Sequence, residues 1–220
     1  MAKIYWAGQS CFQISVSNSK DHSADIVIDP FDADFTGLKL PNLSADIALV
    51  THDHKDHNNV KALKGEPFII NGPGEYEVKG VFIKGIPSTH DDKEGKDKGQ
   101  NTIYVFEAEG LKFCHMGDFG QKQLTDAQTE AIEGIDVLMI PVGGTYTIDA
   151  QEAQRIISEI EPKIVIPMHY KLDKLKMEID DVSKFFKAMG KSAIAPQDKY
   201  VVKTSTLPKD DAMEIVVLQP

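Results

Sequence analysis

Along the first half of the chain, apolar residues come in short runs rich in Val, Ile, Phe and Tyr, separated by Gly, Pro, Asn, Asp and Ser. K-I-Y-W, C-F-Q-I-S-V, D-I-V-I-D-P, D-I-A-L-V-T, P-F-I-I-N, V-F-I-K-G-I, N-T-I-Y-V-F-E and L-K-F-C-H-M-G-D each have the length and residue types of a strand. This half is expected to be sheet. The second half changes period. T-D-A-Q-T-E-A-I-E-G and I-D-A-Q-E-A-Q-R-I-I-S-E-I are expected to be helices, opened by Thr125 with Gln128 and by Asp149 with Glu152, pairs that can exchange hydrogen bonds across a first turn. A further helix is expected around Val182 to Met189. D-V-L-M-I-P-V, K-I-V-I-P-M-H-Y, K-Y-V-V-K and E-I-V-V-L supply more strands. Such proportions predict an α/β architecture in which helices cover sheets from outside.

Residues 90 to 101, H-D-D-K-E-G-K-D-K-G-Q-N, form the longest polar stretch and read as a solvated hairpin loop, with His90 at its root. No repeat, low-complexity tract or linker divides the chain. With 220 residues, 41% of them apolar, a single domain spanning 1–220 is expected. The N-terminus lacks a signal-peptide pattern, and no run approaches the ~20 apolar residues of a membrane span, so a soluble, cytoplasmic protein is expected. Cys11 and Cys114 each lie beside a Phe and are expected to be buried, reduced thiols. The net charge of -10 disfavours nucleic acid and anionic membranes as partners, which need a basic face. It leaves a small anionic substrate open, because bound divalent cations would reverse the sign locally.

The stretch V-T-H-D-H-K-D-H, residues 50 to 57, holds three of the seven histidines and two aspartates. If D-I-A-L-V-T is a strand, His52 and His54 on its extended continuation point the same way and can share a metal ion. Asp56 and His57, where the chain would turn into a short helix with Val60 and Leu63 as its apolar positions, diverge from that pair and can reach a second ion. Imidazole and carboxylate suit zinc, iron or manganese, with nickel also compatible.

His52-x-His54-x-Asp56-His57 after an apolar strand, Gly117-Asp118 closing a second strand and His169 closing a third resemble the metallo-β-lactamase superfamily. D-P at Asp29, G-P-G-E-Y-E, H-M-G-D-F-G, I-P-V-G-G-T-Y-T-I-D and V-I-P-M-H-Y resemble, more narrowly, its small L-ascorbate-phosphate-lactonase-like hydrolases. The resemblance covers nearly the whole chain. It implies a four-layer αββα sandwich with two divalent ions, zinc first, at one edge of its two sheets. His52, His54 and His90 would hold one ion, Asp56, His57 and His169 the other, and Asp118 would bridge them. Asp56 and Asp118 are then the carboxylates of the catalytic centre, with room for a bridging hydroxide.

His115, three residues before Asp118, competes with His90. Strand rise sets His115 back toward the sheet interior, so His90 is favoured as ligand and His115 as its neighbour or a core residue. Asp29 reads either as a strand-end turn or as the acceptor of a ligand histidine's second N–H. Gly143 and Gly144 could offer backbone N–H groups to an anion and Tyr146 a hydroxyl, although a turn feeding the next helix explains the same residues. Lys171 could meet a negative group on the substrate; Tyr76, in the G-P-G turn, and Tyr170 are further pocket candidates. His22 is expected on a surface loop. Gln9 stands where many relatives have His.

The expected activity is a binuclear metal-dependent hydrolase acting on a small anionic ester-type molecule, a lactone or a phosphodiester. A nuclease, or a metal-binding module without catalysis, are the alternatives. A homo-oligomer is possible, though no stretch marks an interface.

Overall fold

Two mixed sheets form the frame of the computed structural model, which describes residues 1–19, 22–209 and 212–220. The first contains β1 (Ala2–Gly8), β2 (Cys11–Ser19), β3 (His22–Ile28), β4 (Ile47–Leu49) and β5 (Phe68–Ile70), with β12 (Tyr200–Val202) added outside β1. β12, β1, β2 and β3 run antiparallel, whereas β3, β4 and β5 are parallel. The second is ordered β13 (Glu214–Ile215), β11 (Ile164–Met168), β10 (Val137–Pro141), β9 (Leu111–His115), β8 (Gln100–Ala108), β7 (Val81–Thr89), β6 (Gly74–Val78). Its β6 to β9 half is an antiparallel meander and the rest is parallel.

The apolar pattern explains this split. V-L-M-I-P and I-V-I-P-M are buried at every position, as strands covered on both faces must be. β7, covered mainly on one face, alternates instead. Residue parity also defines the layers. Ile26, Ile28, Ile47 and Leu49 face the large core between the sheets, while Val27 and Ala48 face away and meet Phe31, Leu43 and Leu63 in a second cluster. That outer layer is thin, built from residues 31–64 with only the four-residue helix α1 (Ala33–Thr36) and a 3-10 turn at Val60–Ala62.

α2 (Asp126–Ala131), α3 (Ala150–Ile160) and α4 (Val182–Ala188) supply the remaining α-helices among the described residues, with a further 3-10 turn at Thr204–Thr206. The reciprocal caps expected at Thr125 with Gln128 and at Asp149 with Glu152 are both formed. α3 buries Ala150, Ala153, Ile156 and Ile157, a stripe at helical spacing, and packs beside α4.

Four expectations need correction. Tyr76 was placed in a turn, but Gly74–Val78 pairs with β7 as strand β6. Only Glu214 and Ile215 of E-I-V-V-L pair as strand. The extended continuation of D-I-A-L-V-T does not exist: β4 stops at Leu49, and residues 51–57 fold back on themselves. His22 was expected on a surface loop; its backbone opens β3, and its side chain lies outside the described residues.

Candidate metal centre

Segments that follow the C-terminal ends of β4, β7, β9 and β11 converge at one edge of the sandwich and carry the site. After β4 the chain coils tightly, with His54 N–H donating to His52 O at 3.1 Å and His57 N–H donating to His54 O at 2.9 Å. Coiling, rather than an extended strand, brings the rings together: His52 lies 4.5 Å from His54 and 4.1 Å from His57, centroid to centroid. Tyr104 of β8 anchors the start of this coil across the sheets, its buried hydroxyl donating to Val50 O at 2.9 Å and reaching Ile70 O at 3.1 Å.

Two groups of donor atoms result. His52, His54 and His90 form one, and Asp56, His57, Asp118 and His169 form the other, each with its donor atoms within 4.8 Å of one another. His54 is exposed, and the other six residues are buried. Asp118 joins the groups, because its Oδ2 lies 3.2 Å from His90 Nε2 and 3.3 Å from Nε2 of both His57 and His169. His115 does not compete. It donates from Nε2 to Ser10 O at 2.9 Å and accepts at Nδ1 from Gly117 N–H at 3.1 Å, so both ring nitrogens are spent.

A donor set fits a cation when its lone pairs are buried, converge and lack hydrogen-bond partners. Nε2 of His52, His57 and His169 meet that test, being buried with no hydrogen-bond partner. Asp29 explains why the first two point inward as bare nitrogens. It is fully buried at the end of β3 and accepts from Thr51 N–H at Oδ1 (2.8 Å), and from the Thr51 hydroxyl (2.8 Å) and His57 Nδ1–H (2.9 Å) at Oδ2. The Thr51 hydroxyl proton is thus used, so the 3.0 Å contact with His52 Nδ1 requires the imidazole to donate. One carboxylate thereby fixes two histidines with the proton on Nδ1 and the lone pair on Nε2.

Asp118 is held as firmly. Its N–H donates to Asn101 Oδ1 at 3.0 Å, and the Ser10 hydroxyl donates to its Oδ1 at 3.2 Å. Asn101 in turn donates to Ser88 Oγ and Met116 O. Gly117 has φ +58°, and a Cβ there would meet the Asn101 and Thr51 side chains, so glycine is required before Asp118. Gln9 donates from Nε2 to Asp56 Oδ2 at 3.3 Å and to Met177 Sδ at 3.0 Å, while its Oε1 is buried without a partner.

Electrostatics follow from this crowding. Burial alone would raise the Asp118 carboxyl, but His169 and His57 outweigh it and hold it well below the usual range. Burial likewise works against a charged His57, yet Asp118, Asp56 and Asp29 raise it well above the ordinary value. His52 is pushed down to about 2, first by burial and then by neighbouring His57. It is a neutral donor at any ordinary pH.

The remaining candidates are placed differently. Gly144 spends its N–H on Ile148 O at 3.2 Å, so that amide is not free for an anion. A Cβ on Gly143 would meet His169 O, which makes this glycine a requirement of close packing. Tyr146 is 38% exposed at the site's rim. Lys171 does not face a ligand: its ammonium donates to Leu175 O and Met177 O and pairs with Glu178. Tyr170 belongs to the core, 4.9 Å from the Trp6 ring. Tyr76 turns its hydroxyl to Gly72 O and Pro73 O. Cys11 and Cys114 are free and buried, as expected.

Thr51, Ser10, Asn101, Asp91 and Lys98 were not foreseen. Asp91 is buried beside His90 and accepts four backbone N–H groups, from Lys93, Gly95, Asp97 and Lys98, which organises the polar loop. Its carboxyl falls to about 2 because those donors outweigh burial. Burial lowers the Lys98 ammonium, and Asp118 raises it in part, so the lysine lies within electrostatic reach of the centre.

A two-sheet sandwich with joined His/Asp groups at its strand ends defines the class, the metallo-β-lactamase-type hydrolases. The sequence profile of the beta-lactamase superfamily domain matches residues 3–169, a span that includes every donor above, and the chain belongs to that superfamily. A metal-dependent hydrolase of Thermoplasma volcanium is 30% identical over 89% of this chain and 96% of its own. One from Thermococcus onnurineus is 31% identical over 77% of this chain and 85% of its own. The crystal structure of a Thermotoga maritima member of the metallo-beta-lactamase superfamily, described as a candidate zinc-dependent hydrolase, covers 100% of both chains at 36% identity and a TM-score of 0.77. No helix among the described residues is long and apolar enough to cross a membrane.

Proposed function

We propose that the chain is a binuclear metal-dependent hydrolase that cleaves a small anionic ester-type substrate, a lactone or a phosphodiester. The observation that carries this reading is the pair of donor groups joined through Asp118 Oδ2, lined with buried ring nitrogens that make no hydrogen bond. His52, His54 and His90 would hold one ion, Asp56, His57 and His169 the second, with Asp118 shared. Zinc suits the imidazole-rich set and agrees with the description of the Thermotoga maritima relative. When bound, such ions supply Lewis acidity toward a carbonyl or phosphoryl oxygen and acidify bound water.

The chain's own residues supply the rest. Asp29, directly and through Thr51, places the single proton of a neutral His57 or His52 ring on Nδ1 and so leaves Nε2 as the nitrogen that can face an ion. Ser10 and Asn101 fix Asp118 from two sides, so that a charge held far below its usual range stays at one position. Gln9 steadies Asp56. A frame this rigid meets the requirement that donors be in place before charge develops. The acidic net charge of -10 supports a small substrate over a polyanion.

Elemental analysis of protein purified without added metal, beside His54→Ala and Asp118→Ala, is the test. The expected result is close to two transition-metal ions per chain, reduced in both variants together with ester cleavage. Absence of metal even after reconstitution with zinc, manganese, iron or nickel, or full cleavage by a metal-free variant, overturns the reading.

A further inference from the structure

Beside His90 the structure has a cavity of about 270 Å³, whose wall includes Tyr146, three lysines (Lys93, Lys98, Lys122) and four carboxylates (Asp91, Asp92, Asp97, Glu152). Its three lysines are not equivalent. Lys93 pairs with Asp97 at 2.6 Å and Lys122 with Asp92 at 2.7 Å, so each has a carboxylate of its own. Lys98 has none among the described residues. Its ammonium donates to two neutral main-chain oxygens, Thr145 O at 2.9 Å and Tyr146 O at 2.7 Å, and stands 5.6 Å from the centroid of the Tyr146 ring. Two of three donors are used, and one remains.

Of the carboxylates, Asp92 and Asp97 are taken up by Lys122 and Lys93, Glu152 lies 3.9 Å from Arg155 and accepts from Asp149 N–H, and Asp91 is satisfied by four backbone donors. One of those donors is the N–H of Lys98 itself, at 2.7 Å, and the neighbouring Gly99 O accepts from His90 N–H at 3.1 Å. The backbone bearing Lys98 is therefore fixed to the segment bearing His90. Carboxylates act on this half-buried ammonium only from a distance, so its remaining donor is open to an anionic group that a ligand brings.

We propose that Lys98 receives the anionic group of the substrate, in the cavity it shares with His90, and so sets the preference for negatively charged esters over neutral ones. This rests on the hydrolase reading above and names the residue through which charge is recognised. Tyr146, with its carbonyl held by the same ammonium, lines that cavity beside it.

The test uses metal-loaded wild type, Lys98→Met and Lys98→Arg, with two probes that share a leaving group: anionic bis-p-nitrophenyl phosphate and neutral p-nitrophenyl acetate. Calorimetry of inorganic sulfate binding to the same proteins supplies a readout independent of turnover. We expect kcat/KM of Lys98→Met to fall roughly ten- to hundredfold on the anionic ester, mostly through KM, and less than about threefold on the neutral one. Lys98→Arg should recover most of the loss, and sulfate should bind at least roughly tenfold more weakly to Lys98→Met. Equal losses on both esters would mean that Lys98 only ties two loops together, and unchanged sulfate binding would overturn its role as anion receptor. If wild type cleaves neither ester, the hydrolase reading fails, and the sulfate comparison alone decides whether Lys98 binds anions.

Discussion

Asp29 carries more of the site than its position suggests. An asparagine there would offer an N–H to His57 Nδ1 and favour the tautomer with its proton on Nε2, the nitrogen that faces Asp118. Asp29→Asn should therefore weaken metal binding roughly ten- to hundredfold, measured by chelator competition, although no donor atom has been removed. Unchanged affinity would show that His57 is oriented by packing alone. The sequence made Asp29 visible as an aspartate ending a strand before Pro30, with a partner histidine as one of two readings. Its second partner was hidden, because Thr51 relays the bond and a threonine beside a histidine carries no distinctive signal. Lys98 was hidden for a related reason: in a run of mixed charges, the one lysine without an acidic partner is identified only by distances.

At the level of elements, a three-residue strand positions the four ligand-type residues of the coil that follows it, and it needs outside support. Tyr104, reaching from β8 to Val50 O, provides it across the sheet interface. Tyr104→Phe leaves that carbonyl without its partner and should cost about 1–3 kcal/mol, read from denaturant unfolding. Metal affinity should fall with it; a variant as stable as wild type would mean that the coil is held elsewhere. The loop between β7 and β8 depends on Asp91 in the same way. In Asp91→Ala the amides of Lys93, Gly95, Asp97 and Lys98 should exchange with solvent at least roughly tenfold faster, while amides within β10 and β11 stay protected. Helix caps and buried strands were legible because they are local patterns of three to five residues. The fold-back of residues 51–57 was not, since it is fixed by contacts with Asp29, Thr102 and Tyr104 from distant strands.

On the scale of the molecule, each donor group draws on both sheets: the coil after β4 belongs to the first, and the segments after β7, β9 and β11 belong to the second. Bound ions would join the sheets at one edge, so their removal should lower thermal stability. At free metal one hundred times Kd the effect is about 2.7 kcal/mol per independent site, and calorimetry with and without chelator measures it. A melting temperature indifferent to chelator would argue that neither group is loaded. Sheets covered by helices could be read from the alternation of periods along the chain, and the two-sheet sandwich from the family resemblance. The sheet edges could not, because β12 returns to β1 from nearly two hundred residues away, and such a pairing leaves no trace in either segment.

That late return has a consequence for how the chain is made. β12 seals the first sheet at β1, and β13 seals the second at β11. When a ribosome has delivered residue 199, every ligand-type residue is already present, yet both β1 and β11 still offer an unpaired backbone ladder to any neighbouring nascent chain. Exposure to edge-to-edge association thus lasts until residues 200–215 have folded back onto β1 and β11. A premature stop near residue 199 should yield a protein with its chemistry encoded in full that is lost to aggregation.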